Sequence, residues 1–170
     1  MPGGGGGSGP GRAGRVRVRP MTLADIRAVA AIEAACFGAE AWPVEAFRVL
    51  LRAFGQARPS RGAMWVAAEA GTGEILGYAG IEVSALCGEA DLINIAVAAG
   101  QRRRGIGQAL VARAAGCCRR RAVELLWLRV RVSNRGARRF YRGLGFTERG
   151  RFARYYLEPE EPAVLMAVEL

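Results

Sequence analysis

Between residues 91 and 110 a short apolar strand pattern runs into three consecutive arginines and then into a helical pattern opened by Gly-x-Gly. The segment reads Asn94-Ile95-Ala96-Val97, a short loop, then Gln101-Arg102-Arg103-Arg104-Gly105-Ile106-Gly107-Gln108-Ala109-Leu110. A strand feeding a helix through a glycine turn is a unit of a sheet covered by helices, which excludes all-helical and all-strand folds. Free N–H groups and the dipole at a helix start attract anions. Glycine lets a phosphate approach the backbone, and arginine adds charge and bidentate donors. The segment therefore implies a phosphate-bearing ligand. It is not a dinucleotide fingerprint, because Leu110 stands at the third glycine position and the acidic ribose partner is missing. It is not a P-loop either, since no Gly-Lys-Ser/Thr occurs.

The flanking sequence completes a mixed architecture. Arg15 to Arg19 alternates with strand period. Thr22 and Asp25 resemble a capping box ahead of a helix whose apolar positions are Leu23, Ile26, Val29, Ala30 and Ile32. Pro43 opens a second helix lined by Val44, Phe47, Leu50, Leu51 and Phe54. Strands over 64–70 and 74–83 flank the turn signal Gly71-Thr72-Gly73. A strand over 91–97, a helix over 103–121, a strand over 124–132 and a helix over 134–144 follow. Strands over 146–157 and 163–170 close the chain. The order predicts an α/β (α+β) fold, with seven strands or so and four covering helices in one domain over 15–170. Residues 1–14, with eight glycines and little to bury, read as a flexible tail or as a start placed too far upstream.

Composition removes several chemistries. The chain has no histidine, which excludes Ser-His-Asp and Cys-His pairs and most zinc sites; no metal is expected. Cys36, Cys87, Cys117 and Cys118 show no C-x-x-C spacing, as in a reduced, cytoplasmic chain. No apolar run reaches transmembrane length, and no apolar leader is visible. All 25 basic residues are arginine, giving a net charge of +10. Residues 99–154 carry 16 of them against Glu124 and Glu148, whereas the remainder carries 9 against 13 acids. That basic half faces anions. A nucleic-acid partner would use it, but no zinc knuckle, RNA-recognition aromatics or helix-turn-helix accompanies it.

Arg102 to Gly107 matches the R-x-x-G-x-G signature of the GNAT acetyltransferase superfamily, which the chain resembles from about 15 to 170. Further motifs resemble the bacterial ribosomal-protein alanine N-acetyltransferases. They are Asn94-Ile95-Ala96-Val97, Leu126-Trp127-Leu128, Val130-Arg131 with Ser133-Asn134, Tyr141 with Gly143-Leu144-Gly145-Phe146, Tyr155-Tyr156, and Trp42 with Phe47. The resemblance implies a sheet splayed between its fourth and fifth strands and acetyl-CoA held in the splay. It implies that Ile95, Ala96 and Val97 pair with pantetheine, and that Arg102, Arg103, Arg104, Gly105, Ile106 and Gly107 hold the pyrophosphate. Asn134 would contact the cofactor, and Tyr141 would protonate the leaving thiolate. Trp42, Tyr155 and Tyr156 would border the acceptor, the N-terminal segment of a protein such as a ribosomal one.

One position departs from that pattern. Arg129 stands where the family carries its Glu base, and a guanidinium accepts no proton at neutral pH. Three readings stay open: Glu82 or Asp91 acts as base, Arg129 recognises an acidic acceptor, or activity is weakened. An α-amine, with a pKa near 7.7–8.0, is roughly a quarter neutral at pH 7.4, whereas only about a thousandth of lysine side chains are neutral. Loss of a base therefore costs an α-amine acceptor less. Ala98-Ala99 and Pro162 also replace residues usual in the family, Asp-Pro and Asp.

Overall fold

The computed structural model describes residues 14–56, 61–84 and 87–170. The expectations for residues 1–13, and for the loop preceding Gly62 over 57–60, lie outside them. Seven strands form one sheet in the order β1-β2-β3-β4-β5-β7-β6. They are β1 Val16–Pro20, β2 Gly62–Glu69, β3 Ile75–Ser84, β4 Glu89–Val97, β5 Leu125–Arg131, β6 Thr147–Leu157 and β7 Glu160–Glu169. Among the described residues four α-helices cover it: α1 Ile26–Phe37, α2 Val44–Gln56, α3 Ile106–Arg119 and α4 Arg135–Gly143.

Strand periodicity sorts the core between two faces. Leu126, Leu128 and Val130 of β5 join Ile106, Leu110, Val111 and Tyr141 of α3 and α4 in one cluster. Met64, Val66, Tyr78 and Ala96 point the other way, to Ile26, Val29, Phe47 and Phe54 of α1 and α2. The helix starts rest on local chemistry. Asp25 accepts from the Thr22 N–H at 2.8 Å and pairs with the Arg19 guanidinium at 2.7 Å. That arginine and the Thr22 bonds, working against burial, hold the Asp25 carboxyl at about 2. Leu23 and Val44, expected on apolar faces, are instead exposed; Leu23 opens the short turn before α1 and Val44 is the first residue of α2. Helix α3 begins at Ile106, three residues later than its pattern suggests. Arg103 and Gly105 both have positive φ, which holds the chain off the helical path until Ile106.

β4 and β5 are parallel and pair only over Glu89–Asp91 with Leu125–Trp127. β4 continues to Val97 and β5 to Arg131 without further pairing, so the sheet parts between its fourth and fifth strands. On the other edge of β4 the register with β3 shifts between Gly80 and Ile81, a bulge beside Asn94.

Candidate active site

The parting of β4 and β5 opens a cleft of about 660 Å³. One wall is the free edge of β4 at Ile95, Ala96 and Val97; the other is α4, with Asn134, Ala137, Phe140 and Tyr141. Arg102, Arg103, Gly105, Ile106 and Gly107 close one end. Gly105, with φ +77°, is the N-cap of α3, so the first N–H groups of that helix face the cleft end without intrahelical partners. A side chain on Gly107 would stand 3.1 Å from the Phe140 ring, so glycine keeps this end open. Among the sequence-predicted cofactor residues, Arg104 does not line the cleft. Its guanidinium bonds the Gln101 side chain, the Gly14 carbonyl at 3.2 Å and Glu69 at 3.5 Å, tying the loop to β2. Arg102 donates to the Val97 carbonyl at 3.2 Å. Asn134 accepts from the Ala137 N–H at 3.0 Å and so caps α4 while bordering the cleft.

These donors fit a CoA-type ligand. Backbone N–H groups and guanidinium groups at one end suit a pyrophosphate. An unpaired strand edge suits an extended amide chain. Tyr141 is buried in the cleft wall between Phe140 and Phe146, with ring centroids 5.2 and 5.6 Å away. Burial, and then the nearby Tyr156, push its phenol well above the usual value of 10. It therefore keeps its proton throughout the neutral range.

A second set of groups lies on the opposite face of the sheet. Period two places Trp127, Arg129 and Arg131 together there, and Asp91 is the register partner of both Glu82 and Trp127. Arg129 Nη1 donates to Asp91 Oδ1 at 2.9 Å, and the guanidinium lies 6.0 Å from the Phe152 ring centre. Among the described residues Glu82 is exposed and in no ion pair. Arg131 is engaged all round, by Glu40, by Glu161 at 3.1 Å and by the carbonyls of Glu158 and Pro159, both at 3.1 Å. Its guanidinium stacks 4.1 Å above Tyr156, whose hydroxyl burial pushes up to about 12. Arg131 thereby joins the α1–α2 connection to the β6–β7 turn. Tyr155 is exposed beside Tyr156, while Trp42 packs on Phe47 at 5.8 Å.

One buried group escaped the sequence reading. Glu33 on α1 is 1% exposed. Its carboxylate accepts from the Tyr78 hydroxyl, from the Trp42 N–H at 2.9 Å and from the Asn94 amide at 3.1 Å. Such a charge is tolerated only when several donors satisfy it. It fastens the start of α2 and the bulged part of β4 to α1. The available signal was an acid placed one and two turns beyond Val29 and Ile26 on an apolar helix face. Among the described residues no group of His, Cys, Asp or Glu could hold a metal ion.

The Acetyltransferase (GNAT) family profile matches residues 26–146. The chain belongs to the GNAT acetyltransferase family. A putative ribosomal protein bS18-alanine N-acetyltransferase of Bacillus subtilis is 30% identical, over 92% of this chain and 97% of that protein. The ribosomal protein bS18-alanine N-acetyltransferase of Escherichia coli is 39% identical over 84 residues, 48% of this chain. That match spans only 57% of the relative's length. The crystal structure of the Escherichia coli ribosomal-protein-S18-alanine N-acetyltransferase superposes with a TM-score of 0.76 at 29% identity, covering 91% of this chain and 94% of that one. The NatC complex bound to Gag peptide and CoA shares the fold, with a TM-score of 0.77 at 21% identity, over 91% and 98% of the two chains. The fold is thus shared with a chain named as a ribosomal-protein-alanine N-acetyltransferase.

Proposed function

We propose that this chain transfers the acetyl group of acetyl-CoA to the N-terminal α-amine of a protein, with a ribosomal protein as the candidate acceptor. The observation that carries the reading is the parting of β4 and β5. It opens a cleft between the β4 edge and α4 that reaches Cys36 and Phe37 of α1, while on the α1–α2 face β5 turns Arg129 to Asp91 and Arg131 to Glu40. Acetyl-CoA supplies the activated acyl carbon when bound. Arg102, Arg103 and the N–H groups from Gly105 to Gly107 bind its pyrophosphate, and the edge of Ile95 to Val97 aligns its amide arm. Asn134 borders the same path. Tyr141, held protonated by burial, gives its proton to the departing sulfur. On the opposite face Asp91, with Glu82 beside it, takes the proton of the amine; Arg129 holds one Asp91 oxygen and leaves the other open. Trp42, Tyr155 and Tyr156 border the acceptor. Holding both reactants together supplies much of the rate. The proposed setting is the cytoplasm.

The test is thiol release from acetyl-CoA with free-amine peptides beginning with Ala, Ser, Met, Asp or Glu, beside an N-terminally blocked peptide containing lysine. Turnover among the free-amine peptides alone is expected; turnover of none, with acetyl-CoA bound, overturns the reading. Arg129 favours a second reading, a GNAT protein that binds acetyl-CoA with weak activity or with activity on lysine or a small amine. Activity that appears only in the Arg129→Glu variant selects it.

A further inference from the structure

Arg129 and Arg131 occupy alternate positions of one strand and share one face of the sheet, yet their side chains are held very differently. Arg131 spends its donors on Glu40, Glu161 and two carbonyls, and its side chain is 18% exposed. Arg129 makes one hydrogen bond among the described residues, through a single nitrogen to a single oxygen of Asp91. Both partners of that pair are open to solvent, at 34% and 38%. A one-point pair between exposed groups is easily exchanged. The guanidinium fork matches a carboxylate through two parallel bonds, and Asp91 supplies only one of them. The pair stands where β4 and β5 cease to run together: Asp91 is in the last pairing, opposite Trp127, and Arg129 lies two residues beyond Trp127. Phe152 and Tyr155, both exposed, form an apolar ledge beside it.

We infer that Arg129 is a receptor for a carboxylate on the acceptor, so that the preferred acceptors begin with Asp or Glu. Asp91 holds the guanidinium in place until the acceptor's carboxylate takes over both donors. The exchange also releases Asp91 Oδ1. This inference rests on the proposed α-amine acetylation and narrows its substrate class.

The experiment uses the full chain with acetyl-CoA and short free-amine peptides differing only in their first residue: Asp, Glu, Asn, Gln or Ala. Thiol release is measured for wild type, Arg129→Gln and Arg129→Lys. The expected kcat/KM for Asp-first over Asn-first, and for Glu-first over Gln-first, is about tenfold or more, the low end for a hydrogen-bonded charge. Arg129→Gln should bring both ratios within about twofold, and Arg129→Lys should leave them between, since a lysine keeps charge without the fork. Ala-first turnover with acid-to-amide ratios near one overturns the inference and leaves α-amine acetylation standing. Where no peptide is acetylated, the same peptides are titrated calorimetrically onto the protein saturated with CoA. Tighter binding of acid-first peptides, lost in Arg129→Gln, supports the receptor; equal or absent binding overturns it.

Discussion

The two walls that meet where the sheet parts are made of different material. The α3–α4 wall presents mostly backbone: a strand edge, the N–H groups after Gly105 and a glycine against Phe140. The α1–α2 wall presents side chains held by one another: Glu33 with Tyr78, Trp42 and Asn94; Arg131 with Glu40 and Glu161; Arg129 with Asp91. A backbone wall suits a ligand that never changes. A wall of side-chain pairs can be altered one residue at a time to suit a different acceptor. Outside Arg102, Arg103 and Tyr141 the first wall should tolerate side-chain substitution apart from added bulk, whereas the second should lose order when one partner is removed.

Tyr141 belongs to the first wall by position, and its proposed role as proton donor lies at the junction. Tyr141→Phe should lower kcat by about 10²–10⁴-fold with little change in the KM for acetyl-CoA, the range of a positioned general acid. Equal loss in kcat/KM for acetyl-CoA through KM alone would make it a packing residue. Glu33→Ala should be the most damaging change to the second wall. It leaves three donors unpaired in a buried cavity and should cost about 2–4 kcal/mol. That is about 5–15 °C in thermal midpoint for a chain of this size. Glu33→Gln keeps the shape and should lose about 1 kcal/mol; an equal loss in both variants would show that volume contributes nothing beyond the carboxylate's charge and hydrogen bonds.

Asp25 anchors the start of the helix that carries Glu33. Its folded pKa, about 2, lies below the unfolded value of about 3.9, so its contribution is present above the unfolded value and is lost as pH falls toward 2. Asp25→Asn should lower stability by about 2 kcal/mol at pH 7, and the two unfolding curves should converge by about pH 2. A constant difference across that range would remove the ion pair from the account. The smallest effect is expected at Gly107→Ala. Its added carbon meets a half-exposed Phe140 ring that can yield, so the KM for acetyl-CoA should rise about two- to fivefold with kcat kept.

The contrast between the walls also explains what the sequence made legible. The backbone wall is local: strand, loop and helix start lie within residues 91–110, so glycine and arginine spacing announces them. Strand period likewise placed Leu126, Leu128 and Val130 on one face, as the structure has them. Helix α3 starts later than its sequence pattern because Arg103, a residue of ordinary helical propensity, takes a positive φ that only the loop's tertiary setting enforces. The second wall joins residues distant in sequence, such as Glu33 with Asn94 and Arg131 with Glu40, and no spacing rule pairs them. Arg129 stood out only against the family's motif; its pairing with Asp91 came from the register of β4 on β5.

The most direct test of the central claim is to locate the acetyl group. Wild-type protein is incubated with acetyl-CoA and a peptide bearing both a free α-amine and an internal lysine, and fragment masses identify the modified nitrogen. The account predicts acetylation of the α-amine with the lysine untouched. Acetylation of the lysine alone, or none while acetyl-CoA is bound, would contradict it.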